Sequence, residues 1–384
     1  MGTSPLAAAS NTFGFDLWSR IRSKPGNLAL SPASISAALA LTSGGAKGDT
    51  AAEIRRALRI DPGLDADAVL AGWGELAAAL QDKSRLFQLR IANRLFGDQR
   101  YSLEPAYLAR TRAAFGAAVE PLDFAHAPEP ARAHINRWVE ERTDRRIPEL
   151  LPPGSLRPDT RLVLANAIYF LADWAHPFDE ADTAPHPFWL SAGESRPAML
   201  MSRRSHYLVA RTGGVSILSL PYAGDAEMLI VLPDQPDGLP AIESSVDAAQ
   251  LTAWRKALVD QELRILVPRF RIDPPGAARL AEPLQSLGIS HAFDGERADF
   301  TAIANPPSPA DRLCLGQVFH KSFVKVDEKG TEAAAVTTVE MILLGARARP
   351  VPELRVDRPF LFFIFDDVTG LLLFMGRVTE PELP

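Results

Sequence analysis

Helix-like and strand-like patterns are segregated along this chain, and that ordering limits its architecture more than any single motif does. Up to about residue 150 the patterns are mostly helical. Phe13, Leu17 and Ile21 recur at four-residue spacing behind Asn11, a side chain able to cap a helix. "SPASISAALALTSGG" offers Ser31 as a cap, Pro32 at the first helical position and Gly44-Gly45 as a stop. "DTAAEIRRAL" begins at Asp49 or Thr50 as a cap, and "RAHINRWVEERT" is amphipathic. "FQLRIANRLFGD" and "AAVEPLDF" read as strand pieces between these helices. From about residue 160 strands dominate. "RLVLANAIYFLADW" is a long apolar run, "VSILSLPY" and "AEMLIVLPD" read as antiparallel neighbours, and "RPFLFFIFDD" and "LLLFMGRV" close the chain. "AARLAEPLQSLGI" is a helical interlude. Segregation rather than βαβ alternation predicts an α+β fold with mostly antiparallel sheets. No internal repeat or low-complexity linker divides residues 1–384, so they are read as one structural unit.

An apolar content of 47% supplies a large core, and the net charge of −6 argues against nucleic acid or an anionic membrane as the main partner. The basic pairs Arg145-Arg146 and Arg203-Arg204 are isolated and read as solvated surface. Cys314 is the single cysteine, which excludes an intramolecular disulfide. Its apolar setting, "RLCLGQV", predicts a buried, inert thiol. No apolar run approaches the ~20 residues of a membrane helix. No basic region followed by an apolar core marks the N-terminus. That puts the protein outside the cell or in a periplasm if a signal peptide has been removed, and in the cytoplasm otherwise.

A search for catalytic motifs is negative. There is no Walker A, no Gly-x-Gly-x-x-Gly behind a strand, no His-Glu-x-x-His, no Gly-x-Ser-x-Gly and no His/Cys cluster with metal spacing. No cofactor or metal is expected. His320, inside "VFHKSF", reads as a hydrogen-bonded core residue rather than a general base. A hydrolase triad dispersed in sequence has no residue in its favour.

"DEKGTEAAAVTTVEMILLGARARP", residues 327–350, carries two propensities at once. Glu332 to Ala335 favour helix and Val336 to Val339 favour strand. If Thr331 to Leu344 were extended, Thr331, Ala333, Ala335, Thr337, Val339, Met341 and Leu343 would share an uncharged face. Glu332 and Glu340 both fall on the other face, which reads as solvent-facing. These fourteen residues contain no Pro or Gly and would span roughly 46 Å at ~3.3 Å each. After Gly345 the basic, proline-containing "ARARPVPELR" is loop chemistry. An ordinary core strand followed by a turn accounts for the same pattern.

"EKGTEAAAVTT" closely resembles the hinge of the serpins, protease inhibitors that insert a loop into a sheet. The resemblance continues through "NLALSPASISAALALTSGGAKGDTAAEIRRAL", "INRWVEERTDRRIPELLPPGSLRPDTRLVLANAIYF", "LPYAGDAEMLIVLP", "VPRFRID", "ADFTAI" and "RPFLFFIFDDVTGLLLFMGRV", in order along nearly the whole chain. It implies three mainly antiparallel sheets, eight or nine helices and an exposed reactive-centre loop over about 328–358. It also implies an irreversible, suicide-type inhibitor rather than an enzyme. A serine protease, or a cysteine protease, would be held as a covalent complex by a monomeric inhibitor. A non-inhibitory carrier, chaperone or storage protein is the alternative, and the small hinge residues weigh against it.

The resemblance further implies site residues. Glu328, Gly330, Thr331, Glu332, Ala333, Ala334 and Ala335 correspond to the hinge. Ser31, Ser34, Asn166 and His320 match the shutter cluster that governs sheet opening. Trp174, Arg269 and Glu328 match the breach at the top of the sheet, where Glu328 and Arg269 are expected as a surface-type ion pair. The family's spacing from the hinge glycine gives Leu344–Gly345 as the reactive bond, with Arg347 and Arg349 as rivals. Leu344 suits chymotrypsin-, subtilisin- or elastase-like enzymes, and either arginine suits trypsin-like ones. Val336 replaces a commoner small alanine but is expected to face solvent on insertion. "AMLM" at Ala198 to Met201 is altered from the family's usual Pro-Met-Met. The stretch Trp73 to Lys83 lacks a basic stripe, so no glycosaminoglycan partner is expected.

Overall fold

The computed structural model describes residues 4–82, 84–116, 119–308, 311–331 and 351–381. Among them are nine α-helices and two hydrogen-bonded sheets. The seven-stranded sheet runs in the order Phe270–Ile272, Leu315–Val326, Gly330–Thr331, Leu162–Asp173, Gln88–Asp98 and Glu120–Leu122, with Ala278–Arg279 added beside Leu315–Val326. The nine-stranded sheet is two of the expected sheets joined by one 19-residue strand, Glu194–Thr212. That strand pairs first with Ala184–Ser191, then with Val259–Pro268, and at its end with Val215–Pro221. The expected hairpin neighbours Val215–Pro221 and Ala226–Pro233 are antiparallel.

The strand Leu162–Asp173 explains its own apolar run. Leu162, Leu164, Ile168, Phe170 and Ala172 point into the main core. Val163, Ala165, Ala167 and Tyr169 point the other way, into a second cluster with Ile135 and Val139 of the helix Pro128–Arg142. Both faces are covered, so alternation disappears from the sequence. Asn166 is the polar exception on the core-facing set.

The helix Pro32–Ser43 starts as expected: the Ser31 hydroxyl accepts from the Ser34 N–H at 3.1 Å, and Pro32 follows. Two caps differ from expectation. The first helix begins at Pro5 behind Ser4, and Asn11 lies within it, where its side chain bonds Gly370 and Leu372 instead. The helix Gly48–Ala57 begins one residue before Asp49, and the Thr50 hydroxyl accepts from Asp299 N–H. Tertiary partners outbid local capping at both places.

Candidate functional site

A row of buried polar side chains crosses the seven-stranded sheet. Asn93, Asn166 and His320 occupy paired positions on three adjacent strands, and Ser31 and Ser34 approach from the start of the helix Pro32–Ser43. Asn166 Nδ2 donates to the Ser34 carbonyl at 3.0 Å and to its hydroxyl at 2.7 Å. Asn93 Nδ2 donates to the same carbonyl at 3.0 Å. The Ser31 N–H donates to His320 Nε2 at 3.2 Å. Nε2 therefore carries no proton, and the Nδ1–H donates to Asn166 Oδ1. Burial pulls the imidazole down to about 3, which keeps this tautomer neutral.

His320 and Asn166 sit on either side of a seam. Leu315–Val326 and Leu162–Asp173 pair directly and in parallel from Leu315 opposite Leu162 to Phe323 opposite Tyr169. Beyond that point they part, and Gly330–Thr331 lies between them. Thr331 faces Val326 on one side and Ala172 on the other, and Gly330 faces Asp173. The far end of the loop, Glu353–Arg355, is paired in the other sheet with Val259–Pro268.

The open end of the seam is densely bonded. Trp174 N–H donates to the Lys329 carbonyl at 2.7 Å, and its indole Nε1–H to the Asp327 carbonyl at 2.9 Å. The indole stacks on Tyr222 with ring centroids 4.4 Å apart. Tyr222 Oη lies 2.6 Å from Thr331 Oγ1, both buried. Glu328 accepts from Arg269 Nε and from the Thr183 hydroxyl, each at 2.6 Å. Glu328 is 3% exposed, so the expected surface-type ion pair is instead a buried carboxylate with a partly exposed arginine. A Cβ on Gly330 would meet the Ala172 carbonyl oxygen at 2.0 Å, so only glycine fits this approach.

The family model for Serpin (serine protease inhibitor) matches residues 8–381. The chain belongs to the serpin family. It is a protease inhibitor, not an enzyme. Serpin B6 of Macaca fascicularis is 37% identical over 98% of this chain and 99% of its own length. A leukocyte elastase inhibitor of Sus scrofa is 37% identical with the same coverage. Among solved serpins, uncleaved ovalbumin superposes with a TM-score of 0.87 at 29% identity, covering 98% of this chain and 100% of that one. Native protease nexin-1 with heparin gives 0.86 at 28% identity, covering 98% and 99%.

Within this serpin, Ser31, Ser34, Asn166 and His320 are brought together, and so are Arg269 and Glu328. Trp174 touches the backbone flanking Glu328 rather than the ion pair. Glu332, Ala333, Ala334, Ala335, Leu344 and Gly345, with the rivals Arg347 and Arg349, lie outside the described residues. Three contributors are missing from the sequence reading: Asn93, Tyr222 and Thr183. An asparagine between Ala92 and Arg94 in a strand-like run is a usable signal for the first. Nothing local marks the other two. Cys314 is only partly buried, although burial still raises its thiol pKa.

Proposed function

We propose that this serpin is a suicide-type inhibitor of serine proteases with apolar specificity pockets, acting as a monomer. The observation that carries the reading is the seam: two strands closed on each other with a two-residue hinge already seated at one end. The protease serine adds to the Leu344 carbonyl, and the Leu344–Gly345 bond breaks. The acyl group stays on the serine as an ester, and Gly345 leaves as a free amine that takes up the proton. Residues from Glu332 onward then enter the seam as a new strand.

The hinge pairing supports a definite register. Continued one residue per pair from Thr331, Thr337 falls opposite Asn166 and His320. Its hydroxyl would replace the bond those two lose when the strands separate. That is the shutter role proposed for Ser31, Ser34, Asn166 and His320. Glu328, Trp174 and Arg269 hold the breach shut until the loop is cut. In the same register Val336 lands beside Ala167 and Lys321, both buried. This register favours a second face of the inserted strand that lies towards the helix Pro128–Arg142 rather than towards water.

Leu344 and the named elastase-inhibitor relatives support an apolar-specific target. Mixing the protein with chymotrypsin, subtilisin or elastase should give an adduct that survives boiling in detergent, with a new N-terminus at Gly345. Cleavage without an adduct overturns the suicide reading and favours a carrier, chaperone or storage role. A cut after Arg347 or Arg349 moves the target to trypsin-like enzymes.

A further inference from the structure

At the foot of the seam, on the side of the sheet that also carries the helix Pro128–Arg142, lies a cavity of about 340 Å³. Arg157, Arg161 and Arg279 line it against a single carboxylate, Asp159. Arg157 is paired with Asp159 at 3.2 Å, with both side chains largely exposed. Arg161 donates to the Arg312 carbonyl at 2.6 Å. Among the described residues the Arg279 side chain makes no hydrogen bond or ion pair, although its backbone pairs with Phe319. The cavity is thus lined by three arginines and one carboxylate, and Glu129 reaches its edge at the Gly154 N–H. Its wall includes Val163 and Gln317, which face each other across the seam.

We infer that this recess is a carboxylate site whose ligand is Glu340 of the same chain, bound once the loop has inserted. The register argues it. Nine pairs on from Thr331, opposite Ala172 and Val326, residue 340 falls between Val163 and Gln317. The two strands already hold these residues opposite one another, so no slip is needed. Side chains at paired positions share a face, and Val163 belongs to the cluster on the cavity side. Glu340 would bring a charge between Val163 and Gln317 that loses part of its hydration, which is costly without a partner. Glu332 lands the same way beside Lys325. Glu332 and Glu340 therefore each meet a basic side chain in the inserted form. The recess rewards complete insertion over an insertion that stops halfway.

The inference rests on the insertion reading, and the experiment separates the two. The loop-cleaved and uncleaved proteins are unfolded in guanidinium. The comparison covers wild type, Glu340→Gln, the cavity variant Arg157→Gln/Arg279→Gln and the combined variant. In the cleaved form Glu340→Gln and the cavity variant should each lower the midpoint, and the combined variant should fall no further than the larger of them. The uncleaved midpoints should not move, which also verifies folding. Repeating the cleaved series thermally at raised NaCl should shrink the difference between wild type and Glu340→Gln, because Arg157 and Arg279 reach solvent. Additive shifts, or none, in the cleaved form overturn the carboxylate site and leave insertion standing. A cleaved wild type no more resistant than the uncleaved protein overturns insertion itself.

Discussion

Tyr222 Oη and Thr331 Oγ1 are 2.6 Å apart in a fully buried contact, and Thr331 is the second residue of the hinge strand Gly330–Thr331. The strand-end tyrosine, stacked on Trp174, therefore holds the hinge by its first side chain. Tyr222→Phe leaves the Thr331 hydroxyl without its partner in a dry site and should cost about 1–2 kcal/mol. Denaturant unfolding of the uncleaved protein measures this. An effect equal to that of a surface substitution would show that the contact contributes nothing.

Thr331→Arg asks the same position to hold a charge. Thr331 is 0% exposed, so the guanidinium cannot seat without leaving the seam or being desolvated unpaired. The variant should be cut at Leu344–Gly345 and released as a substrate, giving turnover instead of an adduct on a detergent gel. Undiminished adduct formation would contradict hinge-first insertion.

Gly330→Ala tests the close approach to Ala172. A methyl group there meets backbone, which cannot rotate away, at 2.0 Å from the carbonyl oxygen and 2.7 Å from Asp173 Cα. The hinge should unseat and take the Trp174–Lys329 bond with it. A change in Trp174 emission, read against a Trp174→Phe control, reports the event.

His320 makes stability depend on pH. Its folded pKa is depressed to about 3 from 6.5, so below 6.5 the unfolded chain takes up a proton that the folded one refuses. The contribution is complete above pH 6.5 and is lost as pH falls from there towards 3. Between pH 6.5 and 4.5 the loss should be about 2–3 kcal/mol. The same range should speed seam opening, because a protonated Nε2 cannot accept from Ser31. Urea unfolding of wild type and His320→Gln across that range separates this titration from the carboxylates. Parallel pH profiles would rule it out.

Arg269→Ala leaves the Glu328 carboxylate buried with only the Thr183 hydroxyl and solvent leakage to satisfy it. A buried pair broken from one side costs several kcal/mol, and the exposure of Arg269 reduces this to about 2 kcal/mol. Spontaneous conversion of the uncleaved protein to a loop-inserted, protease-inert form should accelerate. Residual inhibitory activity over days at 37 °C, a temperature chosen for the assay, follows that conversion.

Five of the nine described helices, the antiparallel pair Val215–Pro221 and Ala226–Pro233 and the parity of the loop glutamates were legible in the sequence, because periodicity and turn residues are local properties; the helices Ala66–Leu80, Pro105–Phe115, Leu239–Ser245 and Ala248–Lys256 were not. Also legible were Ser31 as a cap and His320 as a hydrogen-bonded core residue, since a capping triplet and a lone histidine in an apolar strand each have few alternatives. Tyr222 was not legible, Asn93 was legible only as a polar residue in a strand-like run, and Thr183 was not legible. Each is defined by a partner far along the chain, Thr331, Asn166 and Glu328 respectively. The exposure of Glu328 was misread for the same reason. Burial depends on what covers a strand, and the helix Pro128–Arg142 covers a face that alternation alone assigns to water. Residue order alone sets which side of a strand each loop residue shares with its neighbours. That the seam is closed beneath the hinge, and that its foot opens on arginines, follows from the packing of segments far apart in the chain. Contacts between distant segments set both, and no local pattern encodes them.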